Sequence, residues 1–207
     1  MQLAGSMSWR ISIDHWSEAH DIALWFRAAE RIQVDVEGVV PGPLDVETLP
    51  DRRTDPSDAA ELAEGWLDWW RSLVTAPTMT LPLDRENPPV VWSFSPPGFS
   101  GLHGFPALRQ AVAGRWEQAR RWGNARKSAG MAAGRHMREK VPTGQMVAEV
   151  ENELGRKARP FSLEFVMLPV RDDEIRAVGS YRYLIPERVY DGPRWPGLLR
   201  SLLTPHV

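Results

Sequence analysis

The stretch Phe105–Lys140 (FPALRQAVAGRWEQARRWGNARKSAGMAAGRHMREK) constrains this chain more than any other. It is the longest run that reads as helix, and it carries nine basic side chains against two acidic ones, Glu117 and Glu139. Residues 1–104 hold seven basic and sixteen acidic side chains, and residues 141–207 hold nine of each. A basic helix set against an acidic first half is the strongest signal in the sequence. It points to a working surface without naming an activity.

On a helical wheel Phe105, Leu108, Val112, Trp116, Ala119 and Trp122 form one apolar stripe. Arg109 and Arg120 border it on one side, and Arg115 sits at its other margin. Beyond Trp122 the pattern weakens, because Gly123, Gly130 and Gly134 dilute the helix and alanines replace bulky residues. Residues 123–140 are therefore expected to form a separate, small-residue helix or a mobile basic segment.

Two hundred and seven residues suffice for one domain with a sizeable core, expected over residues 7–207. The leading MQLAGS, residues 1–6, reads as a leftover of expression or an upstream start before Met7, and is set aside. No apolar run approaches the roughly 18 residues of a membrane span, and no secretory leader is recognisable. The chain has no cysteine, which removes disulfides, thiol nucleophiles and thiolate metal sites and fits a reducing cytoplasm. Ten tryptophans are many for this length, and indole suits cores and binding faces alike.

Taken in order, Trp9–Asp14 alternates and reads as a strand, and Ser17 caps a helix with Ile22, Trp25, Phe26, Ala29 and Ile32 on one face. Gln33–Val40 returns to period two and predicts a second strand, followed by a Pro- and Asp-rich connection over residues 41–55. Asp55 and Pro56 announce a helix to about Val74, with Leu62, Trp66, Trp69, Trp70 and Leu73 on the stripe that would dock on the sheet. Thr80–Leu83 and Pro89–Phe94 are short strand candidates. Pro142 and Thr143 start a helix that Gly155 stops. Phe161–Pro169 and Ile175–Ile185, flanking Arg171–Glu174, predict a β-hairpin, and Pro196–Leu203 a short terminal helix. The resulting order favours an α+β fold: a mostly antiparallel sheet with helices packed on one face, a C-terminal β-hairpin and a short terminal helix.

Few constellations carry chemistry. Ser100 and His103 lie three residues apart in the shaped loop Ser95–Gly104, and a hydrolase would need a carboxylate such as Asp84 or Glu86 to orient the histidine. The G-x-S-x-G elbow is absent, because Gly101 directly follows the serine. Asp14, His15, His20 and Asp21 are metal-ligand types, but a five-residue spacing does not stack two histidines on one helical face. Gly123–Ser128 ends in Lys-Ser without the glycine or the strand of a phosphate loop. No metal and no cofactor are expected.

The basic helix remains. Guanidinium groups interleaved with Trp116 and Trp122 suit phosphates and stacked bases, yet the formal charge of −2 and pI near 6.2 are unlike a dedicated nucleic-acid domain. The sequence thus reads as a cytoplasmic, non-enzymatic binding or regulatory module that contacts a protein partner. Its expected contact residues are Phe99, His103, Arg121, Arg126, Lys127, Arg135 and Arg138. Nucleic-acid binding on the same surface is the alternative, and a small hydrolase around Ser100 and His103 the third reading.

Overall fold

A computed structural model describes residues 2–5, 9–76, 89–134 and 141–207. Its elements run β1 (Gln2–Gly5), β2 (Trp9–Asp14), α1 (Glu18–Ala29), α2 (Ala59–Thr75), α3 (Pro106–Ala132), α4 (Thr143–Leu154), β3 (Phe161–Leu168), β4 (Arg176–Val178), β5 (Arg182–Pro186), α5 (Glu187–Tyr190) and α6 (Trp195–Leu203). Short 3-10 turns occupy Pro56–Asp58, Val90–Phe94, Ser100–Leu102 and Thr204–His206. Two compact units result, one made of residues 1–17 and 125–207, the other of residues 18–124. No described helix is long and apolar enough to cross a membrane.

The first unit is built on a sheet of order β1-β2-β3-β5-β4. Ile11 and Ile13 of β2 pair in parallel with Leu163 and Phe165 of β3, and β3 pairs in parallel with β5. Only the edge pairings, β1 with β2 and β4 with β5, are antiparallel. The class is α+β as expected, but the sheet is mixed rather than mostly antiparallel. Consecutive buried side chains Phe165 to Leu168 mark β3 as a central strand covered on both faces, which is the environment parallel pairing needs. The expected C-terminal hairpin is found only in part: it forms within the second run, between β4 and β5, whereas Phe161–Leu168 pairs with β5 in parallel. After β3 the chain places β4 at the sheet edge, turns at Gly179 (φ +64°), and returns as β5 between β4 and β3. Helices α4 and α6 bring Met146, Val147, Val150, Trp195, Leu199 and Leu203 onto Ile11, Ile13, Leu163, Phe165 and Met167. Gly155 ends α4 in the left-handed region, as its sequence signature requires.

The second unit is helical. Asp55 accepts from the Ser57 N–H at 2.8 Å and so starts the 3-10 turn that leads into α2. The tryptophan stripe of α2 packs on α1 and loops, not on a sheet. Trp66 and Trp70 stack at 5.4 Å, and Trp69 stacks on Phe94 at 5.8 Å. The indole N–H of Trp66 donates to the Ala23 carbonyl at 2.7 Å, and that of Trp70 to Val39 at 2.9 Å. Gly65 permits the entry of Phe105, since a Cβ there would lie 2.6 Å from the Phe105 ring. At the start of α3, Glu61 accepts from the Ala107 N–H at 2.6 Å.

Two expected strands in this unit are not strands. Gln33–Val40 is an irregular segment opened by Arg31 (φ +56°) and turned at Gly38 (φ +71°). Its carbonyls find side chains instead of a ladder: Val34 accepts from the Arg27 guanidinium at 3.2 Å and Val39 from the Trp70 indole at 2.9 Å, and Arg27 also donates to Pro41 and Gly42 just beyond the segment. Pro89–Phe94 is the 3-10 turn just named, and Thr80–Leu83 lies outside the described residues.

Candidate functional site

The loop singled out by composition is held tightly. Backbone bonds run from Phe99 N–H to the Ser95 carbonyl (3.2 Å), from Leu102 to Phe99 (3.0 Å) and from His103 to Ser100 (3.2 Å). Gly101 lies against Ser93 and the Phe94 ring, where a Cβ would come within 2.6 Å. Phe99 takes φ +49° and is buried, its ring edge-on to Trp116 at 5.4 Å. Its aromatic surface therefore belongs to the core. The exposed bulky groups lie just before the loop, on Val90 and Trp92 of the turn expected as a strand, which are 47% and 49% accessible. They sit on the turn whose Phe94 is clamped under Trp69. His103 is exposed, and Arg109 donates to the Gly98 carbonyl at 2.9 Å, tying the loop to α3.

Ser100 and His103 are joined only through that backbone bond; their side chains share no hydrogen bond. Asp84 and Glu86, the carboxylates a hydrolase would recruit, lie outside the described residues. Asp14 accepts from the Trp16 N–H at 3.2 Å, His15 packs edge-on to Tyr190 at 5.3 Å, and His20 packs edge-on to Trp70 at 5.5 Å. Burial pushes the Asp14 carboxyl up, against the lowering effect of the Trp16 N–H. Among the described residues no group of three or more histidines and carboxylates is placed to hold a metal ion.

The helix that organises the chain runs unbroken through Gly123 and Gly130 to Ala132. Gly130 is there for fit, because a Cβ would meet the Trp16 ring at 2.7 Å. The arginines along it divide by environment. Arg126 is largely buried, donating to the His15 carbonyl at 3.1 Å and pairing with Glu187 at 3.2 Å. Arg120 pairs with Glu117 at 2.9 Å, and Arg121 donates to the Glu117 carbonyl at 3.2 Å while staying exposed. Lys127 is exposed. Arg135 and Arg138 lie outside the described residues.

Arg115 is different in kind. It is 4% exposed, pairs with the fully buried Glu30, donates to Asp51 at 3.2 Å and to Gln118 at 3.1 Å, and lies 4.9 Å over the Trp25 ring. The other oxygen of Glu30 accepts from the backbone N–H groups of Arg53 and Thr54, both at 3.0 Å, and from the Thr54 hydroxyl at 3.1 Å. Burial alone would raise the Glu30 carboxyl, but these N–H donors and Arg115 outweigh it and hold it below its ordinary range.

Beside this pair opens a cavity of about 350 Å³. Arg53, Thr54, Asp55 and Asp58 form one wall; Ala107, Gln110, Ala111, Gly114 and Arg115, on one face of α3, form the other. Neither the cavity nor Trp92 was visible to pattern reading. Glu30 carries no motif at its helix end, and Ala107, Ala111 and Gly114 lie off the apolar stripe of α3.

No family model, no curated protein and no solved structure matches this chain.

Proposed function

We propose that the chain is a non-enzymatic recognition module that takes a protein partner on the Val90–Arg109 segment of its helical unit. The supporting observation is Trp92, half exposed on a 3-10 turn that cannot relax around it, because Phe94 is stacked under Trp69 and Ser93 is pressed on Gly101. A large indole held rigidly at the surface loses little entropy on binding, and Trp is over-represented among residues that dominate interface energy. His103 and Arg109 from the same segment, with Arg120 and Arg121 further along α3, supply the polar and cationic groups of a rim.

The experiment compares proteins captured by the wild-type chain and by Trp92→Ser at two salt concentrations. A specific partner retained by the wild type at high salt and lost with Trp92→Ser supports the reading. Equal recovery by both proteins removes it. Capture of nucleic acid that fades steeply with salt would favour the alternative.

A further inference from the structure

The cavity beside the Glu30–Arg115 pair has the features of a ligand site rather than of a packing gap. Its volume, about 350 Å³, falls at the lower end of the range for small-molecule pockets. It is lined by both signs of charge. Arg115, nine-tenths buried, uses Nε and Nη1 on protein acceptors, while its Nη2 donates to no described residue. A guanidinium carries five N–H donors in a fixed fork, and an unused Nη2 on a cavity-lining arginine suits a carboxylate. Arg53 stands on the rim of the same wall, its backbone N–H fixed on Glu30.

The opposite sign comes from Asp55 and Asp58. Asp55 is occupied with the N–H and hydroxyl of Ser57. Asp58 is not: although it precedes α2, its side chain makes no capping bond and pairs with no described residue. Along the α3 wall Ala107, Ala111 and Gly114 add no bulk beside Gln110, and a Cβ built on Gly114 meets nothing within 4 Å.

A purely anionic ligand would meet two carboxylates, Asp55 and Asp58, beside the two cations, Arg53 and Arg115. A purely cationic one would leave the Arg115 fork unused. We propose that this cavity binds a small zwitterion of the amino-acid or dipeptide class, its carboxylate on Arg115 Nη2 and Arg53 and its ammonium on Asp58. The proposal does not depend on the protein-partner reading, with which it shares only Ala107.

Calorimetric titration of the full chain with L-alanyl-L-alanine and a set of free L-amino acids tests it. At least one zwitterion should saturate with a Kd on the order of 1 mM or tighter, and capping either its amine or its carboxylate should weaken binding by about tenfold or more. Gly114→Leu should fill the cavity and abolish binding with no loss of thermal stability. Asp58→Asn, a change at a partly exposed position outside the core, should weaken the zwitterion and leave an amine-capped analogue unaffected. Failure of every zwitterion to saturate by about 10 mM overturns the proposal. So does binding indifferent to capping, or binding unchanged in both Gly114→Leu and Asp58→Asn.

Discussion

Arg115 and Glu30, 85 residues apart in the chain, form an ion pair that neither shares with solvent. Two of Arg115's donors also reach Gln118 and Asp51, and Glu30 accepts from Arg53 and Thr54, so the buried charges are almost fully hydrogen-bonded. Such a pair is sensitive to the loss of one member, because the other remains as an uncompensated buried charge. Arg115→Met or Glu30→Leu alone should lower unfolding free energy by about 3–5 kcal/mol. The double variant should recover much of that loss, read from denaturant midpoints at constant m. A double variant as unstable as the sum of the singles would show that the pair does not act as a unit.

The pH dependence follows from the depressed Glu30 carboxyl. Its folded value lies below its ordinary 4.5, so the unfolded state takes up the proton first as pH falls. The stabilisation is complete above pH 4.5 and is lost as pH drops through the lower folded value. Acid unfolding of the wild type should therefore be steeper below pH 4.5 than that of the Glu30→Leu/Arg115→Met double variant. Identical acid limbs would place the acid-sensitive group elsewhere.

Adjacent cations of α3 should respond oppositely to charge reversal. Arg126 is seated on the His15 carbonyl and Glu187, so Arg126→Glu sets two carboxylates together in a largely buried place and should cost about 2–4 kcal/mol. Lys127 is exposed, and Lys127→Glu should fall within about 0.5 kcal/mol of wild type. Thermal melts of the two variants settle the matter; equal shifts would refute the assignment.

Glycines within one helix should likewise part company. A Cβ on Gly123 meets nothing within 4 Å, so Gly123→Ala should stabilise by about 0.5–1 kcal/mol through helix propensity alone. Gly130→Leu has to displace the Trp16 ring, which a Cβ already approaches to 2.7 Å, and should destabilise by about 1–3 kcal/mol. Stabilisation by both substitutions would mean that Trp16 yields freely.

Local signals decided where several helices start and stop, though not that α3 continues past Trp122 to Ala132. Asp55 and Pro56 start a helical segment and Gly155 stops one, because capping and φ restrictions act within a few residues and need no partner. The stripe of Trp66, Trp69 and Trp70 announced burial for the same reason: apolar area at helical spacing has one face to hide. Tertiary structure decided what those segments meet. Strand order depends on which edge the returning chain finds, so nothing local in Phe161–Ile185 distinguishes a hairpin of β3 with the next run from a β4–β5 hairpin whose inner strand lies parallel to β3. Gln33–Val40 has a strand's alternation, but Arg27 and Trp70 take its Val34 and Val39 carbonyls from other elements. The site followed the same division. Arg115 reads like any other arginine on a basic helix until Glu30 arrives from α1's end, and Phe99 reads like a contact residue until Trp116 covers it. Charge and aromaticity are properties of a residue; burial, and with it function, is a property of what the fold brings alongside.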